Sequence, residues 1–469
     1  MLLLLIDIAA ARPTDGSGMW TYDDSDTIAT YDAPDGRVRV WFSTSGTNAT
    51  LAEDLDGSGT PDFVEDVGLT SEDVIRTFEG HGLTAPLPDR GRGGDDRLDV
   101  YLVDFGGNAD GNWGTEDCDD NACFGYFQME NDFSGYGYDD LATAVTVLTS
   151  HELFHGVQAA YGSTDSVWFL EGTATWAEDL YDPGSEDFLH LCDAYLADAG
   201  RSLYEPPGGP VPPFAYGTAL WWWFLTNRYG DDLMRELLLA LPDSPDDASL
   251  VAGMVALEAA HGGDGADDFA TFARWNLATG SRAGNAESYP FAVELRTVSP
   301  EAQGDEIVDE NRFYPLASTY YKLTWEGGLL AFATSEAGDA LRISLHTIDE
   351  EEEVVEGFEE LVASGSVQEL GERAAGTYWL VVSNPSWAAN STQLSICLGG
   401  AEAVADCVPK SSDTGDTGDP ADTGEGVAED TGDGAGDPTG CGCQTPLDTG
   451  GTGFVAAIAA TWARRRRSA

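Results

Sequence analysis

Two histidines, His151 and His155, stand four residues apart with Glu152 between them, and Glu171 follows in Trp168-Phe169-Leu170-Glu171-Gly172. On a helix, residues four apart project from one face, one turn above the other. A single Zn²⁺ can then take both imidazoles. Glu152 lies beside them to deprotonate a metal-activated water, and Glu171 supplies the third ligand. The chain holds only six histidines, so finding two in this pattern argues against a helix that merely carries two satisfied imidazoles.

The flanking residues predict the elements that must position this set. Leu141, Val145, Leu148, Leu153 and Val157 recur at helical spacing, Asp139 or Asp140 caps the start, and Gly162 ends the helix. A second helix is expected over 169–181, stopped before Pro183. Glu171 and Glu178 sit seven apart on its one face, so Glu178 can accept the outer N–H of a ligating histidine. A solvated helix carboxylate is the alternative for Glu178. Strands are expected over 37–42, 98–103 and 124–129, and further helices over 64–78, 214–229, 232–241, 248–261 and 267–277.

These residues resemble the gluzincin metallopeptidases, in which two histidines and a downstream Glu bind one zinc. The run Trp-Phe-Leu-Glu-Gly-Thr-Ala-Thr-Trp-Ala-Glu over 168–178 is similar to their W-L-x-E-G-x-A-x-[YW] segment. His151 to Gln158, with Tyr161 and Gly162, resembles a group of secreted metalloproteases of myxobacteria and related bacteria. The resemblance spans roughly 35–290. It departs in the spacer: fifteen residues separate His155 from Glu171, fewer than in thermolysin-like enzymes or one-zinc aminopeptidases. It implies a zincin-like α+β metallopeptidase domain, with an N-terminal mixed sheet, an active-site helix and a helical C-terminal half. It also implies a Tyr or His that steadies the tetrahedral oxyanion, and Tyr216 is the candidate, against a buried structural tyrosine. Gln128-Met129-Glu130-Asn131 is similar to the G-x-M-E-N segment of one-zinc aminopeptidases, but it lacks the glycine in register and is read as a plain strand end.

A second metal is suggested upstream. Asp54, Asp56, Ser58, Thr60, Asp62 and Glu65 occupy positions 1, 3, 5, 7, 9 and 12 of a loop with Gly59 at position 6. That is the spacing of a calcium loop, with hard oxygens around a hard cation. No convincing helix precedes it, so a lone Ca²⁺ loop is expected, against an acidic turn without a function.

Composition excludes several classes. Net charge is −61 over 469 residues, and 409–469, with ten acids and five bases, contributes only −5 of it. Such a surface repels nucleic acid and anionic lipid and suits a salty or calcium-containing exterior. Cys118 with Cys123 and Cys397 with Cys407 are close enough to bridge, Cys192 is left over, and Cys441 and Cys443 lie in the tail.

Residues 1–11 resemble the end of a secretory signal. From about Phe313, short alternating segments separated by turn residues predict a small β-sandwich, placed at 301–408 after a peptidase domain at 12–300. Its segment 376–382 resembles the pre-peptidase C-terminal type of domain. An Asp/Thr/Gly-rich disordered linker over 409–440 follows. The tail 441–469 orders Cys441-Gly442-Cys443, a short apolar stretch and the arginines 464–467, which resembles MYXO-CTERM sorting tails. The expectation is a monomeric secreted zinc peptidase acting on peptide or protein substrates, with no nucleic-acid partner. Its tail would engage sorting and processing machinery and anchor it at the outer membrane surface. The alternative is a non-catalytic calcium-dependent surface adhesin with a relic zinc site.

Overall fold

The computed structural model describes residues 11–408 except 163, 184–186, 206–211, 285–286, 350–353 and 388–390. The signal-like segment (save Ala11), the 409–440 linker and the 441–469 tail lie outside the described residues. Among those described, no helix is long and apolar enough to cross a membrane.

Strands β1 (Ile28–Asp32) and β2 (Val38–Ser43) form a hairpin, and helix α1 (Asp62–Gly80) follows. With β3 (Leu98–Val103), β4 (Gly111–Asp119) and β5 (Ala122–Glu130) they make a mixed sheet in the order β1-β2-β3-β5-β4. β2, β3 and β5 run parallel, and β1 and β4 pair antiparallel at the two edges. Every residue of β3 is buried, because both faces of the sheet are covered. Leu98, Val100 and Leu102 join the large core beneath the helices, whereas Tyr101 and Val103 join a smaller cluster with Tyr22, Phe105 and Tyr126.

The helical half comprises α2 (Leu141–Tyr161), α3 (Val167–Tyr181), α4 (Asp187–Ala197), α5 (Pro213–Gly217), α6 (Ala219–Tyr229), α7 (Asp232–Ala240), α8 (Asp247–Ala260) and α9 (Gly265–Leu277). The helix expected over 214–229 is two helices. The break falls at Thr218, whose hydroxyl lies 2.7 Å from the Ala215 carbonyl and 2.8 Å from that of Trp168, tying the bend to α3. The aromatic run Trp221-Trp222 is core, stacked through Trp222 on Trp168 at 4.8 Å.

The strand-rich part starts at Ala302: β6 (Ala302–Gly304), β7 (Ile307–Phe313), β8 (Ala317–Trp325), β9 (Gly328–Thr334), β10 (Arg342–Ile348), β11 (Val355–Leu361), β12 (Gln368–Arg373), β13 (Gly376–Asn384) and β14 (Thr392–Gly400). They form two sheets, β11-β10-β13-β8-β6 and β12-β9-β14-β7, which share a core of Tyr321, Leu323, Phe332, Leu380 and Ile396. The outer face of the first sheet lends Tyr320, Val355, Trp379 and Val381 to the helical core, and the described residues to Val408 form one compact unit. Among the described residues two disulfides are present, Cys118–Cys123 across the β4–β5 hairpin and Cys397–Cys407, and Cys192 is a buried thiol.

Candidate metal centre

Helix α2 carries His151, Glu152 and His155 toward α3. Its start is capped by the Asp140 side chain, which accepts from the Thr143 N–H at 2.8 Å. Two glycines let neighbours approach closely. A Cβ at Gly156 would come within 2.7 Å of the Trp113 ring on β4, and one at Gly172 within 2.1 Å of the Thr218 hydroxyl. The second approach draws the α5–α6 bend onto α3 directly beside Glu171, and so brings Tyr216 to the site. Its ring stacks on His151 at 5.6 Å.

His151 Nε2 lies 3.3 Å from Glu171 Oε2 and His155 Nε2 lies 3.7 Å from the same oxygen. One ligating atom from each of the three residues falls within 4.8 Å of the others. Donors about 2.0–2.2 Å from a tetrahedral zinc sit about 3.3 Å apart, so the spacing suits that ion. The outer nitrogens are engaged. His151 Nδ1 lies 2.8 Å from Glu178 Oε1, and His155 Nδ1 lies 2.8 Å from Gln158 Oε1. Gln158 is oriented by its own NH₂, which donates to the Leu170 carbonyl and the Thr173 hydroxyl at 2.8 Å each. Its oxygen is therefore the acceptor, and the His155 proton sits on Nδ1. A carboxylate holds the Nδ1 proton of His151 in the same way. Both Nε2 atoms thus face the cluster, where each donates a proton to Glu171 or, once deprotonated, gives its lone pair to a metal.

Electrostatics matches the geometry. Burial opposes ionisation of Glu171, but hydrogen bonds from His151 and His155 overcome it and hold the carboxyl well below the usual range. Burial pushes Glu152 up to about 7 against the pull of the two imidazoles. Glu152 Oε2 is buried without a hydrogen-bond partner among the described residues. Burial, with Glu171 and Glu152 nearby, raises the Tyr216 hydroxyl well above its ordinary pKa, so it stays a donor.

The structure therefore brings together His151, Glu152, His155, Glu171, Glu178 and Tyr216. Gln158 was missed in the sequence, although its i, i+3 spacing from His155 places both on one helix face. Asp110 was missed too. It accepts from the Tyr138 hydroxyl at 2.7 Å and adds negative potential at Glu152 and Glu178, and no motif marks it. Glu130 ends β5 in a structural role, accepting from the Phe105 N–H and the Tyr136 hydroxyl at 2.9 Å each.

In the upstream loop, Asp54, Asp56 and Asp62 bring carboxylate oxygens within 4.8 Å of one another. Asp54 also accepts from the N–H groups of Gly57, Ser58 and Gly59. Ser58 and Thr60 bond within the loop, and Glu65 sits in the first turn of α1 outside the three-carboxylate group.

Comparison with protein-family models and with curated proteins finds no match for this chain.

Proposed function

We propose that the chain is a zinc-dependent peptidase with a zincin-like catalytic half. The observation that carries this reading is the convergence of three ligating atoms, two of them on imidazoles whose outer nitrogens are fixed, next to a buried carboxylate oxygen with no partner among the described residues. Held by His151, His155 and Glu171, a zinc ion would polarise a carbonyl and make an adjacent water acidic near neutral pH. Glu152 takes the proton of the attacking water on its unpartnered oxygen and delivers it to the leaving amine. Tyr216 donates its hydroxyl proton to the charge that develops on the carbonyl oxygen. Glu178 and Gln158 keep the two imidazoles in the tautomer and orientation the site needs.

An adhesin with a relic site would need the ligands but not the base. The unpartnered oxygen of Glu152 favours the enzyme. The two disulfides fit an oxidising exterior, and we place the protein outside the cell, held at the surface through its tail. The test is metal analysis together with digestion of a broad peptide library. About one zinc per chain and library cleavage are expected. Replacement of His151, His155 or Glu171 by Ala should remove the metal, and full zinc retention in all three variants would end the ligand assignment.

A further inference from the structure

Asp110 stands just ahead of edge strand β4, beside the His151 cluster. Gly111 follows it and packs on α2, where an added Cβ would come within 2.9 Å of the Leu148 side chain. Leu148 lies one turn before Glu152 on the same face of that helix. The Asp110 backbone is fixed by its carbonyl, which accepts from the Glu130 N–H at 2.8 Å. One carboxylate oxygen accepts from the Tyr138 hydroxyl at 2.7 Å. The other has no hydrogen bond among the described residues, and it is open to solvent. After burial, the Asp110 charge is felt at Glu152, Glu178 and Tyr216. A fixed carboxylate therefore keeps one oxygen free at the edge of the proposed catalytic groups.

Glu171, Glu152, Glu178 and Asp110 bring four carboxyl groups to one place, and a bound dication would answer only two of their charges. A cation on the substrate completes the balance, whereas an acid there is repelled. At a net charge of −61 the whole chain also steers cations toward itself. We propose, resting on the peptidase reading of this site, that it selects substrates with a positive charge close to the scissile bond, and that Asp110 contacts that charge. Lysine and arginine side chains carry it, and so does the ammonium at a chain start. Asp139 and Asp187 deepen the negative field but have further partners of their own, so the contact falls to Asp110.

Zinc-loaded full-length protein is given pairs of end-blocked alanine peptides that differ only by arginine or its uncharged isostere citrulline at one position. Arginine should be favoured in kcat/KM by about 10-fold, the worth of one charge-assisted hydrogen bond, and less so as ionic strength rises. Alanine peptides with a free amino end form the second arm. A preference confined to them assigns the cation to the chain start, and one confined to blocked arginine peptides assigns it to a side chain. Asp110→Asn should bring the preference close to unity, and Asp110→Lys should favour glutamate over glutamine, a gain that a damaged fold would not produce. Both peptides of a pair meet the same preparation, so any unfolded fraction cancels from the ratio. Calorimetry of the same peptides on zinc-loaded Glu152→Gln reads the preference without turnover. If the parent hydrolyses nothing while the variant still binds arginine more tightly than citrulline, the peptidase reading fails and the cation site stands. Hydrolysis with no preference for a cation in either arm, or a preference unchanged in Asp110→Asn, would overturn the proposal and leave the peptidase reading in place. No hydrolysis together with equal binding would end both.

Discussion

Two buried charge clusters, one at the N-terminal sheet and one between α2 and α3, are finished differently. In one, the Arg12 guanidinium enters a socket of Asp89, Asp99 and Glu116, all nearly inaccessible to solvent. Its Nε and one terminal nitrogen bond the two Glu116 oxygens at 2.7 Å each. Asp89 accepts from the N–H groups of Gly91 and Gly93 as well, and Asp99 accepts from the Trp41 indole at 2.7 Å. None of the three acids leaves a buried oxygen unpartnered. In the His151 cluster, by contrast, Glu152 and Glu178 each keep one buried oxygen without a partner among the described residues. A network built for stability satisfies every group it buries. One built to hold a metal and move a proton leaves acceptors open for a ligand that is still to arrive.

The largest effect that would break this comparison concerns Glu152. Exchange for Gln should keep the zinc and the thermal midpoint but lower hydrolysis by about 10²–10⁴-fold, because only the proton transfer is lost. Peptide hydrolysis at the parental rate by the variant would remove Glu152 as the base and with it the contrast between the clusters.

Arg12→Ala should do the opposite, leaving turnover per folded molecule unchanged while destabilising the fold by about 3–5 kcal/mol, since three carboxylates stay buried without their cation. The pH dependence has a definite sign. Burial already pushes Asp99 up to about 6, against the pull of Trp41 and Arg12. A carboxyl raised in the folded state binds more protons folded than unfolded, so it costs stability as pH rises from about 4 toward 6. Without Arg12 that penalty grows. The gap between parent and variant should be widest at pH 7 and narrow toward pH 5 in denaturant titrations. A gap independent of pH would show that the socket is not an electrostatic unit.

A third cluster sharpens the contrast, because it is unfinished yet far from any chemistry. Glu258 on α8 is fully buried with neither oxygen partnered among the described residues, and burial, with Asp268 and Asp264 nearby, pushes it up to about 8. The same sign applies: stability is lost as pH rises from about 4.5 to 8. Glu258→Gln should therefore raise the thermal midpoint at pH 8 by roughly 2–5 °C and change little at pH 4.5. A variant less stable than the parent at pH 8 would mean that the carboxylate has a partner in solution.

How much of this was legible in the sequence depended on distance along the chain. The ligand set falls within 21 residues, from His151 to Glu171, and helical periodicity alone places it. The Glu178 bond follows from the same periodicity. The Arg12 socket could not be read, because its partners lie 77 to 104 residues away and nothing marks them. Edge strand β4 was missed for a local reason. Its sequence Gly-Asn-Trp-Gly-Thr-Glu-Asp-Cys-Asp has little strand propensity, and it is held by pairing with β5 and by the Cys118–Cys123 bridge. Helix α4 was missed beyond Pro183, where the sequence gives a stop signal but no clear restart. The sandwich strands β8, β9, β10, β13 and β14 were legible because they alternate over turn residues. Their docking on the helices was not, because Tyr320 and Trp379 look like any other inward residue until the fold supplies the neighbour.

The smallest effect concerns the exposed acidic loop, where the comparison moves from buried to solvated charge. Asp54, Asp56 and Asp62 converge, while Glu65 stays in the helix that follows. If these three hold Ca²⁺, the ion binds the folded chain preferentially and stabilises it by mass action, by about 1.4 kcal/mol at a free concentration ten times Kd. In a chain this long that is a shift of only a few degrees, and it should vanish in Asp54→Ala with zinc content unchanged. Glu65→Ala separates two versions of the site. A loop closed by a bidentate glutamate needs Glu65 and should lose most of its affinity without it. The three-carboxylate group should keep its response. Scanning calorimetry with and without millimolar Ca²⁺, on parent and both variants, decides between them. An equal calcium shift in Asp54→Ala would assign the effect to the acidic surface at large, which at this net charge binds divalent counter-ions without any site at all.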